Sequence, residues 1–160
     1  MAKQKKLKKP KKIEFKNRKA KFEYHFIDVY EAGLKLQGTE IKAIRTGDVN
    51  LSDAYCTFKK GELWVKSLYI KEYIYGTYAN HESRQDRKLL LKRRELSKLE
   101  KKVKEKGFTI IPYRLYLNER GFAKLEIALA QGKKAYDKRD SIKAKDQKRD
   151  LDRIKKQYRV

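Results

Sequence analysis

The chain has 160 residues, with 44 Lys plus Arg against 21 Asp plus Glu, a formal net charge of +23 and a pI of about 10.0. That length is one domain with room for tails, and its 39% hydrophobic residues, with 11 Tyr and 6 Phe among them, exclude a wholly disordered basic polypeptide, which has too little to bury. The charge selects a polyanionic partner, nucleic acid first and an anionic membrane surface second.

The single cysteine, Cys56, excludes an intramolecular disulfide. No apolar run approaches the roughly 20 residues of a membrane span, and the Lys-rich start is followed by no apolar segment of a secretory signal. The expectation is a soluble cytoplasmic protein.

Residues 1–21 carry eleven Lys and Arg against Glu14 alone, a net of +10. Residues 1–12 offer little beyond Leu7 to bury, so they read as a basic flexible arm. From 22 to 30 the residues alternate, with Phe22, Tyr24 and Phe26 on one side and Glu23 and His25 on the other, which predicts a strand. Gly33 is placed to bulge it before Leu34 and Leu36 resume the pattern. A short helix follows Gly38, with Thr39 as cap, Ile41 and Ile44 on its buried side and Gly47 as its stop.

Residues 54–58 and 63–70 read as two strands joined across Lys59–Glu62, with Gly61 at the permissive turn position. The stretch 86–106 reads as a helix. Leu89, Leu96, Leu99 and Val103 share a face, Ser83 and Asp86 give a start signal and Gly107 a stop. Residues 109–117 and 123–130 alternate as strands around an Asn118–Gly121 hairpin loop, and Pro112, lacking an N–H, is expected at an edge or a strand opening.

Residues 131–160 return to twelve Lys and Arg against five Asp, a net of +7. Leu151, Ile154 and Tyr158 form a weak helical stripe, so this tail is expected to be disordered alone and helical against a partner. The fold class read from these elements is mainly β: a small OB-like antiparallel β-barrel over 13–130, with two or three helices and a disordered basic C-terminal tail.

No catalytic set emerges. His25, His81 and Cys56 are widely spaced, no phosphate-binding glycine loop is present, and Ser52–Asp53 reads as a turn, so the chain is a binding protein with no cofactor or metal expected. Glu31, a carboxylate beside Ala32–Gly33 in a basic chain, serves either as a structural acceptor or as a reader of a base edge or 2′-hydroxyl. Tyr69, Tyr73, Tyr75 and Tyr78 suit either core packing or stacking on bases.

Six motifs occur in order: Asn17-Arg-Lys-Ala20, Tyr30-Glu-Ala-Gly33-Leu-Lys-Leu-Gln-Gly38-Thr-Glu-Ile-Lys42, Asn50-Leu-Ser-Asp53, Asn80-His-Glu82, Arg87-Lys-Leu-Leu-Leu91 and Gly132-Lys-Lys-Ala-Tyr-Asp-Lys-Arg139. Together they resemble the bacterial SsrA-binding protein family, also called small protein B, the partner of tmRNA. The resemblance runs from about residue 13 to the C-terminus.

The resemblance implies binding to the tRNA-like domain of tmRNA and delivery of the charged RNA, with elongation factor Tu, to stalled 70S ribosomes. There the tail is held to probe the vacant mRNA channel beside 16S rRNA of the small subunit. It assigns RNA binding to Glu31, Leu90 and Lys124, with Asn17, Lys19 and Lys21 adjoining. Lys133, Lys134, Tyr136, Asp137, Lys138 and Arg139 fall to the ribosome-engaging tail. The chain departs from some relatives at Tyr136, where they carry His, and from the Pro expected in many at Ser83. A monomer is expected. A ribosomal structural protein or general RNA chaperone stands as the rival reading.

Overall fold

The computed structural model describes residues 13–157. Nine strands and four helices follow one another as β1 (Glu14–Lys16), α1 (Arg18–Glu23), β2 (Tyr24–Leu34), α2 (Gly38–Thr46), β3 (Val49–Asn50), β4 (Tyr55–Lys59), β5 (Glu62–Lys66), β6 (Tyr69–Ile70), β7 (Arg87–Leu90), α3 (Arg93–Lys104), β8 (Phe108–Leu117), β9 (Ala123–Gly132) and α4 (Ala135–Gln157). The fold is mainly antiparallel β. Six strands run in the order β8–β4–β5–β7–β2–β9, and β9 pairs back onto β8, so the sheet closes on itself. β1 also pairs with β8, and β3 and β6 form a separate two-stranded ladder.

Alternation explains the closure. Leu125, Ile127 and Leu129 of β9, Leu63 and Val65 of β5, Leu89 of β7 and Ala32 of β2 point inward and are buried, together with Ile44 of α2 and Leu99 of α3. Each buried Leu or Ile contributes about 1.5–3 kcal/mol over its exposed state. The ring thus forms a packed interior whose outer surface is free for other work.

Several sequence expectations need correction. The first long strand begins at Tyr24, because Arg18–Glu23 form α1. Asn17 is the reason: its Oδ1 accepts the Ala20 N–H at 3.1 Å, and its Nδ2 donates to the Leu51 carbonyl at 3.0 Å. The bulge of β2 falls at Ile27, between Phe26 and Asp28, while Gly33 stays in register with both neighbours. The 63–70 strand breaks at Ser67, whose φ of 55° turns the chain from β5 to β6.

The helix expected over 86–106 is a strand followed by a shorter helix. Val65 pairs with Arg87 and Leu34 with Leu89, so residues 87–90 complete the ring as β7. Burying Leu89 in that ladder outweighs the leucine spacing that suggested a helical face. The true helix start is Lys92, whose N–H donates to Glu95 at 3.1 Å. Pro112 sits neither at an edge nor at an opening: it lies inside β8, opposite Ile127, where the register shifts between Pro112 and Arg114. A bulge accommodates the missing donor.

The tail expected from residue 131 opens on the last two residues of β9 and continues as a helix. β9 runs on to Gly132, and Ala135–Gln157 form one 23-residue helix. No Gly or Pro interrupts it, and Asp146–Arg149 and Asp150–Arg153 pair along it at 3.6 Å each. From Ile142 to Gln157 every residue is exposed, so the body lends this stretch of the helix no apolar support. The basic arm 1–12 and Tyr158 lie outside the described residues.

Candidate RNA interface

A row of cross-strand partners crosses the outside of the ring. Gly33 of β2 pairs with Leu90 of β7 on one side and Lys124 of β9 on the other, and Lys124 pairs with Tyr116 of β8. In the adjacent row Glu31 pairs with Glu126, which pairs with Arg114. Residues 31 and 33 share a face because strand side chains alternate. Gly33 keeps the row low at its centre: a Cβ there would sit 3.4 Å from the Leu90 Cβ.

The polar groups on this face hold one another in place. The Tyr116 hydroxyl donates to Glu31 Oε2, and Lys124 Nζ lies 3.3 Å from Glu31 Oε1. Arg114 covers the Tyr116 ring with its guanidinium 4.7 Å from the centroid, and it reaches Glu14 and Glu126 at 3.0 Å each. The Tyr113 hydroxyl donates to Glu126 at 2.5 Å. The hydrogen bond from Tyr116 holds the Glu31 carboxyl below the usual glutamate range. The same bond, aided by burial, pushes the Tyr116 phenol up to about 12. Both groups keep their usual charge state at neutral pH, giving a fixed carboxylate flanked by a phenol and an ammonium.

An apolar margin borders this network. Leu90 is 52% exposed and Phe122 is exposed beside it, and with Leu34, Arg120 and Lys124 they line a shallow groove. An exposed leucine and phenylalanine beside fixed cations suit a nucleic-acid sugar or base edge lying over a backbone held by Lys124 and Arg120.

Glu31, Leu90 and Lys124 therefore meet on one face. Asn17, Lys19 and Lys21 do not join them. Asn17 directly follows β1, and its N–H donates to the Tyr113 carbonyl at 2.7 Å, next to Arg114. Lys19 and Lys21 lie on α1, which leads to the opposite end of β2, where Tyr24 pairs with Gly132, seven residues from Glu31 and about 23 Å away at strand rise. Asn17 is buried, with Oδ1 capping α1 and Nδ2 donating to the Leu51 carbonyl, while Lys19 and Lys21 are exposed on that helix. The base of the tail packs here. The Lys133 N–H donates to the Glu23 carbonyl at 2.9 Å and Lys133 Nζ to the Lys21 carbonyl at 3.2 Å.

Asp137 accepts from the Lys134 N–H at 3.2 Å and lies 3.7 Å from His25 Nε2. Tyr136 belongs to the first turn of α4, and Lys138 and Arg139 follow in it. Two basic regions thus stand at the two ends of β2, one built on the sheet face and one at the junction of α1 with α4.

Other residues singled out in the sequence are structural. His81 is buried: its Nε2 faces the Ile70 carbonyl at 3.2 Å and its Nδ1 faces the Thr39 hydroxyl at 3.0 Å. A carbonyl only accepts, so Nε2 donates to Ile70. Cys56 is buried and its thiol is pushed up by desolvation. Among the described residues no group of three His, Cys, Asp or Glu side chains is placed to hold a metal ion.

Sequence reasoning missed Tyr116, Arg114 and Phe122. The signal was available for the first two, which occupy the outward positions of β8 between inward Leu115 and its neighbours.

The family model described as "SmpB protein" matches residues 14–157, nearly all of the chain. This chain belongs to the SmpB, or SsrA-binding protein, family. An SsrA-binding protein of Phocaeicola vulgatus is 58% identical over 146 residues, covering 91% of this chain and 97% of the relative. One of Christiangramia forsetii is 57% identical, covering 92% and 94%. One of Sinorhizobium medicae retains 48% identity, covering 92% of each chain. A solved structure described as "tmRNA-SmpB: a journey to the center of the bacterial ribosome" superposes with a TM-score of 0.65 at 46% identity, covering 77% of this chain and 86% of that one. The match to the family model extends to residue 157, so the segment that forms α4 here lies within the matched sequence.

Proposed function

We propose that this chain binds the tRNA-like domain of tmRNA, as a monomer and together with elongation factor Tu, and brings it to stalled ribosomes in the cytoplasm. On this reading the closed ring is an OB-like RNA-binding body and α4 is the element that enters the empty mRNA channel along 16S rRNA. The observation that carries it is the face where Leu90, Lys124, Tyr116 and Glu31 converge, in a member of this family. A folded RNA offers such a face a fixed arrangement of phosphates and 2′-hydroxyls, and a preset network of fixed charges recognises arrangement better than a flexible lysine patch does.

Lys124 supplies the phosphate contact, Leu90 the apolar contact, and Glu31 holds Tyr116 and Lys124 at their spacing. Lys19 and Lys21 extend the basic surface at the other end of β2, and Asn17 acts there by positioning α1. Lys133, Lys134, Asp137, Lys138 and Arg139 set the base of α4, and Tyr136 in its first turn engages rRNA.

A binding titration with the isolated tRNA-like domain and a linear RNA of equal length tests the reading. Both affinities fall with salt, by about 10³–10⁵ between 50 and 200 mM for roughly 6–10 phosphate contacts. The preference for the folded RNA persists across the series. Equal affinity for the two RNAs at every salt concentration contradicts the proposal and favours a general RNA binder.

A further inference from the structure

The loop from Lys71 to Asp86, between β6 and β7, presents side chains that neither the core nor the sheet face uses. Tyr75 is 80% exposed, Tyr78 is fully exposed and Ile74 lies open beside them. Large apolar groups left in water are a cost to the free chain, and three within five residues mark a contact surface.

The loop holds its shape. Asn80 clasps it: Nδ2 donates to the Tyr73 carbonyl at 2.8 Å and the Gly76 carbonyl at 3.1 Å, and Oδ1 accepts the Tyr73 N–H at 3.2 Å. A Cβ on Gly76 would sit 2.7 Å from the Asn80 side chain, so the clasp requires glycine at that position. Tyr73, half-buried, anchors the tip from below. Its ring meets Tyr75 edge-on with centroids 5.6 Å apart, and Lys42 of α2 lies 5.4 Å from its centroid. Tyr75 and Tyr78 are thus carried on a braced turn with their faces accessible.

The surroundings decide what fits. Within the loop Lys71 and Arg84 stand against Glu72, Glu82 and Asp86, a net of −1, so it lacks the cationic surplus of the rest of the chain. Lys42 and Arg45 on the adjoining helix supply local positive charge. A loop tip of three apolar side chains is far smaller than the roughly 800 Å² each partner contributes to a stable protein interface. For a nucleobase, by contrast, a single exposed ring is a complete binding unit. The net charge of +23 brings polyanions to the surface first.

Resting on the RNA-binding reading above, we infer that the Tyr75–Tyr78 loop tip is a stacking platform for unpaired nucleobases of single-stranded RNA. It lies outside the Glu31–Lys124 face, on the β6–β7 loop, and is joined to that face through β7, which continues to Leu90. Its contribution is insensitive to salt, because stacking releases no counterions, whereas the sheet face and the tail weaken as salt rises.

The full chain and two double variants, Tyr75→Phe/Tyr78→Phe and Tyr75→Leu/Tyr78→Leu, are titrated by fluorescence anisotropy with a short labelled oligoadenylate. The same oligomer with abasic riboses is the comparison, and circular dichroism checks the fold. The expected result is a preference for the base-bearing oligomer that the phenylalanine variant keeps within about twofold and the leucine variant loses by about 10-fold or more. Binding of the abasic oligomer is the same for all three.

A leucine variant that keeps the full preference overturns the inference and leaves the tip to a protein partner. A phenylalanine variant that loses as much as the leucine variant also overturns it, since the hydroxyls and not the ring faces would then be responsible. Failure of the parent chain to prefer the tRNA-like domain over linear RNA defeats the proposed function while leaving the phenylalanine–leucine comparison intact.

Discussion

Arg87 of β7 donates through Nε to Glu40 of α2 at 2.6 Å, with each side chain 1% exposed. Nη1 donates to the carbonyls of Leu68 at 2.6 Å and Gln85 at 3.1 Å, Nη2 donates to that of Ser83 at 3.3 Å, and Glu40 also accepts from Gln85 Nε2 and the Gln37 N–H at 2.7 Å each. The pair therefore ties α2, the end of the aromatic loop and β7 into one unit, three residues before Leu90 reaches the sheet face.

Removing one partner leaves the other charge buried and alone. Arg87→Ala and Glu40→Ala are each expected to cost about 3–5 kcal/mol. Urea unfolding monitored by circular dichroism measures this. A double replacement by hydrophobic residues of similar volume recovers much of the loss, since it removes both charges together. A single variant as stable as the parent would show that the pair is not the tie described here.

The Glu31–Tyr116 hydrogen bond makes a pH signature. Glu31 lies below its ordinary value of 4.5 in the folded chain, so its stabilising contribution is present above that value and is lost as pH falls through the lowered one. Tyr116 is raised from 10.0 to about 12, so its contribution is present below 10.0 and disappears as pH rises through about 12. Glu31→Gln is expected to return one tyrosine toward 10.0 in a phenolate absorbance titration, while Tyr113, raised to about 12 by burial and by Glu126, stays high.

The same variant reduces the preference for the tRNA-like domain by about tenfold, the value of one charge-assisted hydrogen bond. Uniformly stronger RNA binding, as expected from simply deleting a negative charge, would remove Glu31 from the recognition network.

Asn17 acts through the backbone. Asn17→Ala deprives α1 of its cap and the Leu51 carbonyl of its donor, at a cost of about 1–2 kcal/mol. Lys19→Ala, on the exposed surface of the same helix, changes stability by less than about 0.5 kcal/mol. Thermal unfolding of the two variants separates a positioning residue from a surface charge.

These elements also show where the sequence speaks and where it is silent. The alternation in 109–117 and 123–130 and the Gly47 stop of α2 are local signals, and the structure places β8, β9 and the α2 terminus there. Residues 87–90 were misread because the leucines of 89–103 continue into the helix. The partners that make β7 a strand, Val65 and Leu34, lie far away in the chain, and so does Glu40, which lets Arg87 be buried.

Of the site, Glu31 was visible as a carboxylate out of place in a basic chain. Tyr116 acquires its role only from the β8–β9–β2 register, which brings it over Glu31 from 85 residues away. The separation of Lys19 and Lys21 from Glu31 follows from the length of β2, and the adjacency of Lys21 to Lys133 from the Tyr24–Gly132 pairing, both long-range facts.

The division between a body that recognises folded RNA and a helix that acts on the ribosome is tested most directly by a chain truncated after Gly132. That cut keeps all of β9 and removes the exposed α4. It is assayed in parallel for binding to the tRNA-like domain and for release of ribosomes stalled on messages lacking a stop codon. The account predicts affinity within about threefold of the parent at 150 mM salt, where distant exposed charges are largely screened, together with loss of rescue. Collapse of RNA affinity on truncation, or rescue that survives it, would contradict the division.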